Sequence, residues 1–365
     1  MAIQGIITGL NHKNFEDRNM KFKAAVLLVS KEPLVIEEVE VQPLKVGQVL
    51  VKIDSSGVCG AQINEIDAVK GQDRFLPHLL GHEGHGEVIE CGEGVSHVSV
   101  GDKVVLHWRK SKGIESQTPI YKNSTLGQIN AGWVTTFNEY AVVSENRLTA
   151  IPNHIKNEHA ALMGCAVTTA MGTLMNDAKA RVGDSLAIFG CGGVGLSLIQ
   201  FAKLSGCYPI VAIDIYESKL KEAVKLGATH TVNSLDRNYE KLILQSNSNA
   251  NFDICIDNTG LPDILKTAYT LTSPIGGKTI MVGVMDKKNS LDIWTYPLHF
   301  NQELIGSSGG QCNPGVDIPK IIKLIDNNML DLDNLIGSTY KLDQINDAIL
   351  DLRNGTASGR LMITF

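Results

Sequence analysis

At 365 residues the chain is too long for one ordinary hydrophobic core, so two domains are expected. Hydrophobic residues make up 43% and charged residues 20%, a globular balance and not a disordered one. The net charge of −6 leaves no basic surplus for phosphates, which argues against a nucleic-acid binder, and no apolar run is long enough to span a bilayer.

The first twenty residues mix polar and charged types without an apolar core, so they read as an ordinary N-terminal extension and not as a secretory signal. Residues 22–150 then carry short alternating runs such as LVIEEVEV, QVLVKIDSSGV, HGEVIECG and DKVVLHW, separated by Gly, Asp and Ser. This rhythm predicts a sheet or partly open β-barrel. From about Arg181 the pattern changes. Residues 184–190 (DSLAIFG) predict a buried strand, and Val194, Leu198 and Ala202 mark one face of the helix after it. A strand over 208–214, a helix over 217–226 and strands over 252–258, 277–284 and 303–308 continue an α/β alternation, as in a doubly wound parallel sheet. Two amphipathic helices (318–329 and 342–353) and a last strand (360–365) do not extend that series. They are expected to pack back on the first unit, giving a discontinuous domain of 1–166 and 309–365 around a second domain of 167–308.

Cys59, Cys91, Cys165, Cys191, Cys207, Cys255 and Cys312 are odd in number and have no CxxC spacing, which favours free thiols in a reducing, cytoplasmic setting with a metal among them.

The stretch Gly190-Cys-Gly192-Gly193-Val194-Gly195 reads as GxGxxG between the predicted strand and helix. Glycines there let the chain turn tightly and let a pyrophosphate approach the positive helix N-terminus. Asp214 ends the next strand, where a carboxylate accepts both ribose hydroxyls and repels a 2′-phosphate, so NAD is expected over NADP. Lys219 is a further candidate near that ribose.

Cys59 in SSGVCG, His82 in LLGHEGHGEV and Cys165 in ALMGCAVTTAMG offer two thiolates and an imidazole. Such a set leaves one tetrahedral position free, the pattern of a catalytic zinc and not of a closed structural one. Taken in order, GVCG, GHEGHG, GC followed by two threonines, and GCGGVG resemble the zinc-containing medium-chain dehydrogenases over nearly the whole chain. The resemblance implies a GroES-like catalytic domain and a Rossmann domain with zinc between them. It assigns Cys59, His82 and Cys165 as ligands, Glu83 as the acid beside the metal that supports it or ligates transiently, and Trp108 as an aromatic wall of the substrate pocket. It assigns Thr169, Val282 and Val284 to the nicotinamide, although the valines fit plain sheet core equally well, and Arg360 to the pyrophosphate. The implied reaction is hydride transfer between a hydroxyl-bearing small molecule and NAD, with the metal as Lewis acid. Homodimers or homotetramers, built on the last Rossmann strand, are implied as well.

Three departures qualify that reading. The family's four-cysteine structural-zinc lobe has no cysteine in the matching stretch 107–137, so a single catalytic ion per chain is expected. The relay hydroxyl two residues after the first zinc cysteine is replaced by Ala61, and the relay histidine by Asn64. A methyl group moves no proton, leaving His107, Glu83, Thr168 and His85 as candidate substitutes. In the replaced lobe, Arg109, Lys110 and Lys112 follow Trp108, which suits an anionic polyol or sugar derivative as well as it suits a solvated turn. The leading expectation is a polyol, cyclitol or sugar-alcohol dehydrogenase. The alternatives are a redox-neutral zinc enzyme holding NAD tightly and a non-catalytic nucleotide-binding relative.

Overall fold

The structure, a computed structural model, describes residues 20–365 apart from Thr356 and Ser358. The N-terminal extension read from the first twenty residues lies, but for Met20, outside the described residues.

In the first third, alternation builds a small barrel, as expected, and a second sheet beside it. Strand Lys21–Leu27 pairs antiparallel with Val35–Glu40. With Ile120–Asn123, Gly127–Asn130 and His78–Leu79 these close a small barrel around Phe22, Val39, Leu79, Tyr121 and Ile129. A second sheet is centred on the long strand Gln48–Val58, which meets Glu83–Cys91 along one edge. The far edge of Gln48–Val58 receives Tyr140–Ser144 in its first half and the terminal strand Arg360–Thr364 in its second, where Leu361 pairs with Val58.

The six-stranded parallel sheet found among the described residues runs His230–Asn233, Ile210–Asp214, Leu186–Phe189, Ile254–Asp257, Lys278–Met281, Glu303–Gly306. The order reverses beside Leu186–Phe189, so the turn after that strand opens at a topological switch point, where α/β sheets bind ligands. Five strands fall where the apolar runs predict them, each shorter because its flanks enter turns; Gly190, at φ +88°, ends the first of them. His230–Asn233 has no counterpart in the sequence reading. It is an edge strand that buries only Val232, so its HTVN sequence carries no apolar run.

Helices cover both faces. Leu196, Leu198 and Ile199 of helix Gly193–Leu204 pack with Ile188 and Ile256, while Phe189, Ile213, Phe252 and Ala268 fill the opposite side. Helix Pro314–Asp326 adds Ile318, Ile321 and Ile322 to the first cluster, and helix Ile345–Asn354 packs Ile345 and Ile349 beside Val58 and Leu361. No helix of the described residues is long and apolar enough to cross a membrane.

Candidate active site

Cys59 stands between the long strand Gln48–Val58 and helix Gly60–Ile66; Cys165 directly precedes helix Ala166–Gly172. His82 immediately precedes strand Glu83–Cys91, which pairs with Gln48–Val58 so that Gly84 stands opposite Ser56. This register brings three distant side chains together. The two sulfurs and an imidazole nitrogen all lie within 4.8 Å of one another. Both cysteines are buried.

The shared hydrogen bond with Cys165 holds the Cys59 thiol well below its ordinary value against the effect of burial, and Arg360 and His82 act in the same direction. The same bond, together with burial, pushes Cys165 well above it. Burial disfavours a protonated His82, but Cys59 and Glu83 outweigh it and its pKa stands raised. His82 Nε2 is buried with no hydrogen-bond partner. A buried, unpartnered imidazole nitrogen beside two thiols is costly unless a ligand engages it, and the set of two sulfurs and one imidazole fits zinc.

Glu83 stands outside this group. Its fully buried carboxylate accepts a hydrogen bond from Arg360 Nε at 2.7 Å and one from the Ala166 amide at 3.3 Å, and Arg360 Nη2 forms an ion pair with the same oxygen. Burial raises the Glu83 pKa while Arg360 opposes the rise. Arg360 is itself buried, which opposes its charge, yet Cys59, Glu83 and Cys165 together keep it cationic. Its Cδ lies 3.3 Å and its Nη1 3.4 Å from where a Cβ on Gly193 would stand. One side chain therefore links the cysteine cluster to the glycine-rich loop.

That loop has the predicted form. Gly192 precedes helix Gly193–Leu204, no side chain caps it, and a Cβ on Gly195 would collide with the Gly190 carbonyl. First-turn N–H groups of Gly193, Val194 and Gly195 face outward with the positive end of the helix dipole, which suits a pyrophosphate. Asp214, at the end of strand Ile210–Asp214, accepts the Cys191 amide at 2.8 Å and the Tyr216 amide at 3.0 Å. Lys219 lies over the Tyr216 ring, 4.7 Å from its centroid. Thr169 is buried one turn after Cys165, whose carbonyl accepts its N–H at 2.9 Å. Val282 packs partly buried against the Rossmann core, whereas Val284 is 49% exposed.

The other candidates near the cluster have partners of their own. His107 is fully buried, with Nδ1 bonded to the Arg109 carbonyl at 2.6 Å and Nε2 to the Thr149 hydroxyl at 3.0 Å; burial lowers its pKa to about 4. Thr168 donates to the Met163 and Cys165 carbonyls, and His85, also lowered by burial to about 4, faces Asp54 at 3.5 Å. These three groups are engaged in the framework. Arg109 is not an open anion receptor. It donates to the Cys312 carbonyl at 2.9 Å and to Ser308, while Lys110 pairs with Glu115. Trp108 is half-buried, with the Arg109 guanidinium 5.7 Å from its ring centroid.

One contact escaped the sequence reading. Gln62 lies behind the His82 ring, Nε2 to Nδ1 at 2.5 Å. Its only sequence signal was its place three residues after Cys59.

Residues 45–153 match the alcohol dehydrogenase GroES-like domain and residues 193–327 the zinc-binding dehydrogenase domain. The chain is 33% identical to alcohol dehydrogenase 6 of Peromyscus maniculatus, over 92% of this chain and 96% of that protein. It is 30% identical to S-(hydroxymethyl)glutathione dehydrogenase of Escherichia coli, over 95% of this chain and all of that one. Benzyl alcohol dehydrogenase from Acinetobacter calcoaceticus superposes with a TM-score of 0.85 at 27% identity, covering 95% of this chain and 99% of that one. The chain belongs to the zinc-containing medium-chain dehydrogenase/reductase family. It is an alcohol dehydrogenase-like oxidoreductase of that zinc- and nicotinamide-using type. Neither the redox-neutral nor the non-catalytic alternative is favoured by relatives that are dehydrogenases by name.

Proposed function

We propose that this chain oxidises a hydroxyl-bearing small molecule, a polyol, cyclitol or sugar derivative, with NAD and one zinc ion per chain. The observation that carries the reading is the buried Cys59–His82–Cys165 cluster with its unpartnered His82 Nε2, linked through Arg360 to the glycine-rich loop. Zinc held by those three residues would supply Lewis acidity toward a hydroxyl oxygen, and NAD would supply the hydride acceptor.

The chain's own residues bind and orient. The first-turn amides after Gly192 and the Arg360 guanidinium serve the pyrophosphate, Asp214 and Lys219 the ribose, and Thr169, Val282 and Val284 the nicotinamide side. Glu83 keeps Arg360 charged and in place. Trp108 walls the substrate side. Ala61 offers no hydroxyl, so the proton must leave by water or through the substrate. A polyol brings neighbouring hydroxyls that serve this purpose, which favours it over a simple monoalcohol.

The working units are 1–166 with 309–365 and the intervening 167–308. Pairing of two chains along strand Glu303–Gly306 is the favoured assembly, as a homodimer or homotetramer. That strand ends its sheet, and Trp294, Tyr296 and Phe300 stand exposed in the segment just before it. The compartment is cytoplasmic, in keeping with seven free thiols among the described residues.

Elemental analysis and an NADH-formation screen against polyols, amino-cyclitols and sugar phosphates test this reading. One zinc per chain is expected, lost in Cys165→Ala with NADH binding retained. Full NAD binding without zinc in the wild type would refute the metal assignment.

A further inference from the structure

The wiring behind His82 is opposite to what a ligating histidine needs. Gln62, 6% exposed on helix Gly60–Ile66, accepts the Gly81 backbone N–H on Oε1 at 2.5 Å and sets Nε2 2.5 Å from His82 Nδ1. A backbone N–H only donates, so the amide oxygen faces Gly81 and the NH2 faces the imidazole. A nitrogen met by an NH2 must be an acceptor. Neutral His82 with its lone pair on Nδ1 carries its proton on Nε2. Yet Nε2 is the buried, partnerless atom. Ligation through it requires the lone pair there and the proton on Nδ1, donated to an acceptor behind the ring.

We propose that Gln62 is a positioning residue that sets the affinity of the cluster for its metal, because its amide must turn over before His82 can ligate. The proposal rests on the zinc reading above. Turning over puts Oε1 against Nδ1–H, as ligation needs, but leaves the NH2 facing the Gly81 N–H, donor against donor. Gly81 has little room to yield. A Cβ there would collide with Thr136, and the Leu80 carbonyl is held by the amides of Thr136 at 3.0 Å and Phe137 at 3.1 Å. Each metal bound therefore surrenders the Gly81 hydrogen bond. A carboxylate of the same length has an acceptor on both arms and serves Gly81 and His82 Nδ1–H together.

The test compares the full chain in four forms, wild type, Gln62→Glu, Gln62→Leu and Cys165→Ala, by zinc competition with a chromophoric chelator. Gln62→Glu is expected to bind zinc about 10- to 100-fold more tightly than wild type, the range by which outer partners of a metal-bound histidine act. Its cobalt-loaded form should keep the wild-type thiolate charge-transfer band, which reports the same ligand set. Gln62→Leu removes both arms of the amide and leaves the His82 Nδ1–H without an acceptor, so it should bind zinc more weakly than Gln62→Glu. Thermal melts of the metal-free proteins separate these effects from loss of fold. If wild type binds zinc at least as tightly as Gln62→Glu, the proposal is overturned while the zinc reading stands. If wild type binds no zinc, or Cys165→Ala binds it equally well, the zinc reading itself fails.

Discussion

Arg360 Nε donates to Glu83 Oε1 over 2.7 Å, joining residues 277 positions apart in a pocket that excludes solvent from both. Removing one partner of such a pair leaves a bare buried charge, which costs about 3–5 kcal/mol, whereas removing both is far milder. Arg360→Met is therefore expected to lose stability of that order in urea and to weaken NADH binding at least about tenfold, or 1.4 kcal/mol. Glu83→Gln combined with Arg360→Met should regain most of the stability and none of the NADH affinity. Equal losses in the single and double variants would show that the ion pair is not what the arginine contributes to folding.

Ala61 occupies the first turn of helix Gly60–Ile66 and is partly accessible. Ala61→Ser restores a hydroxyl two residues from Cys59. Because a positioned proton-transfer group contributes about 100- to 10,000-fold, even a poorly placed serine should raise kcat for monoalcohol oxidation about tenfold and change polyol oxidation less. An unchanged monoalcohol rate would place the proton path elsewhere.

Asp214 spends both carboxylate oxygens on backbone amides, which fixes it at the ribose end of the loop. A 2′-phosphate brought against it meets like charge, an arrangement that costs several kcal/mol. Steady-state kinetics of Asp214→Gly should show the preference for NAD over NADP falling by about tenfold or more. An unaltered ratio would remove the aspartate from cofactor selection.

The sequence makes the Rossmann half legible because its central strands, LAIF, IVAID and ICID, are buried on both faces and read as uninterrupted apolar runs. The edge strand HTVN is buried on one side only and carries no such mark. Near the metal, the flanking motifs locate Cys59, His82 and Cys165, but the role of a neighbour depends on what the fold carries to it. Arg109 reads as one of a basic trio until the Ser308 and Cys312 carbonyls, about two hundred residues on, take its donors. Gln62 is one polar residue in a short helix until the register of Gln48–Val58 against Glu83–Cys91 sets the His82 ring against it.

The lobe without cysteines is anchored by an acid. Glu145, 1% exposed, accepts the amides of Ser96 at 2.5 Å, His97 at 2.7 Å and Ile114 at 2.8 Å, plus the Ser96 hydroxyl at 3.1 Å. Burial works against its ionisation, but these donors outweigh it and hold its pKa below the ordinary value. A depressed pKa gives stability that is full above the unfolded value of about 4.3 and vanishes as pH drops through the folded one. Glu145→Gln should therefore cost about 1–3 kcal/mol at pH 7 and progressively less below pH 4.3. Urea midpoints that differ equally at both pH values would contradict this account.

The pairing of Leu361 with Val58 and the reach of Arg360 to Glu83 have a consequence for biosynthesis. A nascent chain emerges from the ribosome with its sulfurs and imidazole translated long before the guanidinium that faces them. Until residue 360 clears the exit tunnel, Glu83 has no counter-charge and the inner edge of strand Gln48–Val58 stands open beside Val58. A polypeptide lacking strand Arg360–Thr364 would thus carry the cluster ligands and the glycine-rich loop, with an unpaired strand edge that is a target for quality control.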